Sequence, residues 1–296
     1  MTERLVLETA DAIVEIVPRL GGSLAAFDLK IGNDRVAILR RWTGEWENPR
    51  ALASSPMVPW FNRIPGGGFS FGGKFYAIAK NDPLDEFPIH GDGWNSPWEV
   101  TDHDSARATL RLRSRAIPPF DYEATQMIAL AGATLEMTLT VKHLGAASLP
   151  YGLGQHPWFV RTPATRLHAP ATGVWSAQPP QFPASMKTDP LPEKWDFRKP
   201  HALPPDLIDN GFAGWNGRAR IDWPDRGVAV DVEADSGARF YQIYSPDGNA
   251  PIFCFEPVTH PNGALAMPGT PEEKGLRVLR SGEETSIQMR LAAGRI

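Results

Sequence analysis

Apolar and polar residues alternate with a period of two along much of the chain, and that period predicts strands rather than helices. The cleanest example is Ala108-Thr-Leu-Arg-Leu-Arg113. Segments 122–130 and 133–141 repeat the pattern on either side of a turn at Ala131-Gly132, which is the signature of an antiparallel meander. Nearer the N-terminus, 4–8 and 12–17 are rich in β-formers, and Gly21-Gly22 punctuates the chain before 23–29. Residues 69–71, Gly72-Gly73 and 74–76 read as a tight hairpin. Further strands are predicted at 98–100, 218–223, 228–232, 239–244, 252–255 and 285–291. No segment combines helical period with caps, no repeat recurs, and no boundary demands a second domain. The pattern predicts one all-β domain spanning 1–296, its mostly antiparallel sheets packed as a sandwich.

Composition changes this picture only in places. The 29 prolines are about twice the usual share, and the 27 glycines are spread along the chain, a density that helix interiors do not tolerate. Ten of those prolines fall between Pro163 and Pro205. That stretch is either a linker or a long ordered excursion over the β scaffold, and the recurrence of Leu167, Trp175, Phe182 and Trp195 supports the second. Residues 42–56 have no clear period and are expected to form a loop or short helical turn. The formal net charge of -4 gives no reason to expect nucleic acid or an anionic membrane as partner. No stretch is long and apolar enough to be a spanning helix. Residues 1–8 carry acids where a signal peptide needs an apolar run. One cysteine, Cys254, leaves no internal disulfide and fits a reducing compartment, so a cytoplasmic location is expected. Inside an apolar strand, Cys254 reads as a small inert core residue. Ten tryptophans suit sugar rings, which have apolar faces and hydroxyl rims, and they equally suit a sandwich core.

Two segments carry candidate chemistry. In Tyr151-Gly-Leu-Gly-Gln-His156-Pro-Trp-Phe159, a single histidine sits among small and aromatic residues. An apolar surround pushes an imidazole toward neutrality and a nearby carboxylate pushes it back, which would suit proton transfer; a core histidine bonded to a carbonyl is the other reading. In Ile252-Phe-Cys-Phe-Glu256-Pro257, an apolar run is expected to be buried on both faces, ended by Glu256 and terminated by Pro257. Desolvation there would raise the carboxyl pKa into the working range of a base; a glutamate paired with arginine, or solvated, is the alternative. His90 lies in a Gly-rich turn near Trp94 and Trp98, as a surface-loop residue would. Arg63 follows Trp60-Phe61-Asn62 and either holds a ligand rim or forms a plain salt bridge. Asp209, in Asp-Asn-Gly, suits an Asx turn as well as a hydroxyl acceptor. Gly68-Phe-Ser-Phe-Gly-Gly73-Lys74 imitates a phosphate loop, but Phe75 stands where a magnesium-binding Ser or Thr belongs. His103, His143, His168, His201 and His260 lack partners at metal-ligand spacing, and no metal site or cofactor is expected.

Taken in order, several blocks resemble the aldose 1-epimerase (galactose mutarotase-like) family. They are Asn62-Arg63-Ile64 before the hairpin, Ile89-His90-Gly91 with Pro97-Trp-Glu-Val100, Gly152-Leu-Gly-Gln-His156-Pro-Trp-Phe159, Leu207-Ile-Asp209-Asn-Gly-Phe212, and Phe255-Glu256-Pro257-Val-Thr-His260 with Gly275-Leu-Arg-Val-Leu279. The resemblance implies a β-supersandwich and interconversion of the α and β anomers of an aldose, with no cofactor. It implies that Glu256 is the general base on the C1 hydroxyl and His156 the general acid on the ring oxygen, on opposite sides of one hemiacetal. It further implies that His90, Arg63, Asn62 and Asp209 hold the sugar.

The chain departs from the family's pattern at Asp92-Gly-Trp94-Asn95 and at Gln155, so Trp94 and Gln155 are the expected determinants of an unusual sugar. The implied partner is a monosaccharide, bound by a monomer or homodimer. Three other readings stand beside this one. A hexose-6-phosphate epimerase would need extra cations, for which Arg40-Arg41 is the candidate pair. A sugar-binding module would keep the fold without catalysis. A polysaccharide lyase or hydrolase would want paired carboxylates or a Tyr/His site in an open groove.

Overall fold

The computed structural model describes residues 3–44, 48–178 and 181–296. Residues 45–47 of the unpatterned segment and 179–180 of the proline-rich stretch lie outside the described residues. The period-two segments are strands. Along Tyr122–Ala131 and Thr134–His143, buried and more exposed positions alternate almost without a break.

Two large antiparallel sheets carry the fold. The first runs in the order Leu5–Glu8, Ala12–Val17, Ser23–Ile31, Ser54–Met57, Gly154–Val160, Ile252–Val258, Phe240–Ser245, Ile208–Ala213 and Gly173–Trp175, with Asp34–Ala37 also paired to Ser23–Ile31. The second runs His201–Ala202, Arg166–His168, Arg218–Trp223, Val228–Ala234, Glu284–Arg295, Thr134–His143, Tyr122–Ala131, Arg107–Ser114 and Glu99–His103. The main core joins them. Phe27, Phe159, Phe253, Phe255 and Tyr241 come from the first sheet, and Leu110, Ile128, Leu139, Val230 and Leu291 from the second. The expected sandwich is the observed architecture. The only helices among the described residues are 3-10 turns of three residues, including Pro49–Ala51, where a short helical turn is predicted.

Two sequence expectations need correcting, and both fall in the first sheet. The run beginning at Ile252 does not end at Glu256. It pairs on one side as far as Val258 opposite Phe240, so Glu256 sits inside a strand and Pro257 does not terminate it. Asp-Asn-Gly at 209–211 is not an Asx turn but part of the strand Ile208–Ala213, in register with Phe240–Ser245. The proline-rich stretch is an ordered excursion. Its short strands Gly173–Trp175, Arg166–His168 and His201–Ala202 extend the edges of both sheets.

The tolerance for proline in a central strand has a local cause. Between Gly154–Val160 and Ile252–Val258 the ladder registers Gly154 with Val258, then resumes at Trp158 with Cys254. Within that gap each strand carries one proline, Pro157 and Pro257, which has no N–H to give. The interruption falls beside His156 and Glu256.

Candidate active site

The site lies on the face of the first sheet that does not look into the main core. Side chains alternate across a strand, so Phe253 and Phe255 enter the core while Cys254 and Glu256 point the other way. Register then gathers residues distant in sequence. Gln242 stands opposite Glu256, and Tyr244 opposite Cys254. Asp209 stands opposite Tyr244, Trp158 opposite Cys254, and Ser55 opposite His156. Loops close the rim, and together these elements line a cavity of about 150 Å³ bounded by Arg50, Asn62, Arg63, Ile89, His90, His156, Trp158, Asp209, Tyr244 and Glu256. A smaller recess beside it is lined by Trp94, Met57 and Ser55 together with Arg50, His90, His156 and Trp158.

His156 and Glu256 form the floor pair, with Nε2 3.8 Å from Oε1. The imidazole stacks on Trp158, ring centroids 5.2 Å apart. His156 Nδ1 and Glu256 Oε2 are both buried without a hydrogen-bond partner, as is Gln242 Oε1 next to them. Burial pushes the Glu256 carboxyl well above its ordinary range, and the charge of Asp209 adds to this while Arg63 opposes it. Burial also pushes the His156 imidazole down to about 3, assisted by the charges of Arg40 and Arg50. Both groups are therefore driven toward their neutral forms. The two stand side by side on neighbouring strands. The C1 hydroxyl oxygen and the ring oxygen are bonded to the same carbon, so neighbouring groups can address both.

His90 is held by strain and by a reciprocal pair of bonds. Asn62 and His90, both at φ 58°, are the non-glycine residues with positive φ among the described residues, a conformation that is rare outside turns and functional sites. The Asn62 N–H donates to His90 Nδ1 at 3.0 Å, and the His90 N–H donates to the Asn62 carbonyl at 3.0 Å. Accepting at Nδ1 leaves the proton of the neutral ring on Nε2. Burial is the main cause that keeps this ring neutral, with His156 and Arg63 contributing. Next in the chain, Gly91 has φ 67°, and a Cβ there would meet the Val58 carbonyl oxygen at 2.0 Å, so no other residue fits. His90 is thus a half-buried wall residue of the cavity and not the surface-loop residue its turn suggested.

Arg63 bridges two carboxylates. Its Nε donates to Asp85 at 3.0 and 3.1 Å, and its Nη1 lies 3.5 Å from Asp209 Oδ2. Asp209 also accepts from Gln242 Nε2 at 2.7 Å. Its carboxyl is raised by burial, and Arg63 pulls it back. Arg50 forms the parallel pair with Asp82. One acidic loop, 81–88, therefore fixes both cavity arginines. Phe87 anchors that loop edge-on against Phe182 of the proline-rich excursion, centroids 5.1 Å apart.

The sheet register brings Glu256, His156 and Asp209 to one cavity, the loops bring Arg63, Asn62 and His90 to it, and Trp94 lines the adjoining recess. It does not bring Gln155 there. Alternation turns Gln155 to the opposite face of its strand, where its Nε2 donates to Gln126 Oε1 of the second sheet at 3.4 Å. Gln155 ties the sheets together and touches no cavity wall, so it is withdrawn as a determinant of the sugar. The pattern of the sequence missed Arg50, Trp158, Gln242 and Tyr244. For the last two, alternation in 239–244 was a usable signal once the neighbouring strand was known. Arg40 also differs from expectation. It lies behind Trp158, its guanidinium 4.1 Å from the ring, and it donates to the carbonyls of Leu52 and Arg50. Arg41 is paired with Asp28.

The sequence profile of the aldose 1-epimerase family matches residues 3–292. The chain belongs to the aldose 1-epimerase family. It is similar to the protein YphB of Escherichia coli (strain K12), whose own role is uncharacterised, at 37% identity over 242 residues, 80% of this chain and 82% of that protein. A solved structure from Escherichia coli K12, described as a candidate aldose 1-epimerase, superposes with a TM-score of 0.90 at 31% identity, covering 99% of each chain. A galactose mutarotase-like protein from Clostridium acetobutylicum has a TM-score of 0.84 at 20% identity, covering 98% of this chain and 95% of that one, and shares the fold. The sandwich expected of an aldose 1-epimerase family member is the one observed.

Proposed function

We propose that the chain, acting as one domain over 1–296, is an aldose 1-epimerase that interconverts the α and β anomers of an uncharged aldose. The observation that carries this reading is the floor pair. A carboxylate and an imidazole stand 3.8 Å apart in a cavity, each with a buried ring nitrogen or oxygen that no protein group satisfies. Buried polar atoms are nearly always paired, and atoms left open in a cavity are ready for a ligand.

In the reaction, Glu256 takes the proton of the C1 hydroxyl while His156 gives a proton to the ring oxygen, and the C1–O bond breaks. The products are an open-chain aldehyde, a protonated Glu256 and a neutral His156. Rotation about C1–C2 presents the other face of the carbonyl, and closure with reversed proton transfers yields the other anomer. The electrostatics favour the open-chain end of the cycle, and starting it requires a proton to pass from Glu256 to His156. An ionised pair and a neutral pair contain the same number of protons, and desolvation favours the neutral one formed on ring opening. The hydroxyls of a bound ring supply donors to Glu256, and hydrogen bonds to the anion bring its pKa back toward that of a base. His90, neutral with its proton on Nε2, is a donor for a sugar oxygen. Arg63 and Asp209 offer donors and acceptors to ring hydroxyls.

The charge balance supports an uncharged sugar over a phosphorylated one. Both cavity arginines are already paired, Arg50 with Asp82 and Arg63 with Asp85. Arg40 and Arg41, the pair considered for a phosphate, are committed elsewhere. The deciding experiment is polarimetry of freshly dissolved pure anomers over a panel of sugars and a hexose 6-phosphate, with the wild type, Glu256→Gln and His156→Asn. Acceleration of at least one neutral aldose by the wild type alone is the expected result. If no sugar is accelerated, the protein is a binding module.

A further inference from the structure

Sequence spacing offers no metal site, because it compares residues near one another in the chain, and strand register creates a cluster that spacing cannot see. His156, Cys254 and Glu256 each present a ligand atom within 4.8 Å of the others. Cys254 and Glu256 are two residues apart and therefore on one face of their strand; His156 comes from the neighbouring strand 98 positions earlier. We propose that His156 Nε2, Cys254 Sγ and the Glu256 carboxylate form a binding site for a divalent cation of the zinc class, and that an ion held there blocks the sugar cavity.

The donor set selects the ion. A thiolate, an imidazole and a carboxylate are a mixed borderline set that suits zinc and its neighbours, whereas magnesium and calcium want oxygen alone. Three protein ligands with the cavity on the fourth side match the arrangement of an open tetrahedral site. Bound at about 2.0–2.3 Å, such ligands stand roughly 3.5 Å apart, so the side chains must close by about an ångström. The glutamate carboxyl can swing to do this, since its Oε2 is held by no other group. A second, independent observation is that this carboxylate is 2% exposed yet incompletely bonded. A cation would supply what the protein does not. His156 Nδ1 lacks the outer partner that normally orients a ligating imidazole, so binding is expected to be weaker than at a structural zinc site.

Tyr244 and Trp158 face the cluster from the strands on either side and add no charge.

Cobalt(II) serves as a spectroscopic probe for zinc. The wild-type protein is expected to bind one Co²⁺ with a thiolate-to-metal band in the near ultraviolet, displaced by Zn²⁺. Cys254→Ser is expected to lose that band and at least tenfold in Zn²⁺ affinity by calorimetry while keeping its fold. The blocking part rests on the epimerase reading; the binding part does not. Zn²⁺ is expected to inhibit wild-type mutarotation reversibly, with relief by a chelator, and to inhibit Cys254→Ser at least tenfold less. Absence of the near-ultraviolet band in the wild type overturns the site whatever the variant does. Equal inhibition of both proteins overturns the blocking role. A band in a protein that accelerates no sugar leaves the site standing and sinks the epimerase reading instead.

Discussion

In the sheet that ends at Glu99–His103, every buried polar side chain has somewhere to go. His143 is bonded at both ring nitrogens, to the Tyr151 hydroxyl at 2.6 Å and the Ala147 carbonyl at 2.7 Å. Gln126 donates to the Gly22 carbonyl at 2.7 Å, and Ser114 to Asp92. Across the core, the outer face of the other sheet carries the buried Gln242 and Glu256 and the half-buried His156, each with a buried atom that no protein group meets. An unsatisfied buried group costs about 1–3 kcal/mol, so His156 and Glu256 on the cavity wall, with Gln242 beside them, are a standing destabilisation that a ligand can relieve. The comparison teaches that buried polar residues are of two kinds here. Those of the second sheet are satisfied within the protein, and those around the cavity carry atoms open to a ligand, while Ser54 Oγ and Trp195 Nε1 are unpartnered away from the cavity wall. His260 shows that location near the site does not decide the kind. It accepts from the Phe61 N–H and donates to the Pro261 carbonyl, and so acts as a brace for the Asn62–Arg63 turn.

The sharpest way to break this distinction is Glu256→Gln. Loss of a general base costs about 10²–10⁴-fold in rate, and mutarotation followed by polarimetry is expected to fall within that range. The melting temperature by calorimetry is expected to hold or rise, because a buried, unpaired carboxyl is gone. A variant that melts early but turns over normally would place Glu256 with the structural group. The mirror experiment is Leu139→Ala in the other sheet, at a fully buried core position. It is expected to lose about 2–5 kcal/mol of stability by denaturant titration, with kcat unchanged well below its melting point.

His156→Asn is expected to cost a similar factor in rate to Glu256→Gln and also to change the acid limb of stability. The folded imidazole is depressed to about 3 from an ordinary 6.5, so the unfolded chain binds a proton in that window and the folded protein does not. Stability is therefore complete above 6.5 and lost as pH falls toward 3. His260, depressed to about 4, acts in the same direction. Urea titrations from pH 7 to 4 should show a shallower decline in His156→Asn than in the wild type; an identical decline would mean that His156 is not held neutral.

Smaller effects come from the supporting groups. Asp85→Asn removes one of the two carboxylates that orient Arg63, and about a tenfold rise in KM with a lesser change in kcat is expected, since a charged hydrogen bond is worth about 1.5–3 kcal/mol. Smallest is Gln155→Met, a change at a position between the sheets. Sugar preference across the anomer panel should not move, with stability changing by about 1 kcal/mol. A changed preference would return Gln155 to the site.

Much of the second sheet was legible from alternation, because several of its strands, from 99–103 to 134–143 and 218–234, are neighbours in sequence, and most have one face on the core. The site sheet was less legible. Gly154–Val160 contains a glycine, a proline and a half-buried histidine, and Ile208–Ala213 contains Asp-Asn-Gly, so neither resembles a strand by propensity. Each is held extended by partners far away in the chain, a case of tertiary pairing overriding local preference. Trp158 and Arg50 carried no local signal. One is an aromatic among many, and the other a surface-type residue whose place depends on Asp82.

By itself the sequence determined the β character of the chain, its core strands, and the candidate acid and base, because period, composition and an ordered series of blocks are properties of the chain alone. Only the tertiary structure decided which face of a strand each residue occupies relative to its neighbours. A one-residue change of register or direction exchanges core for cavity. That is why Gln155 and His156, adjacent in sequence, ended on opposite sides of one sheet, and why His156 ended beside Cys254 and Glu256, remote from it in sequence.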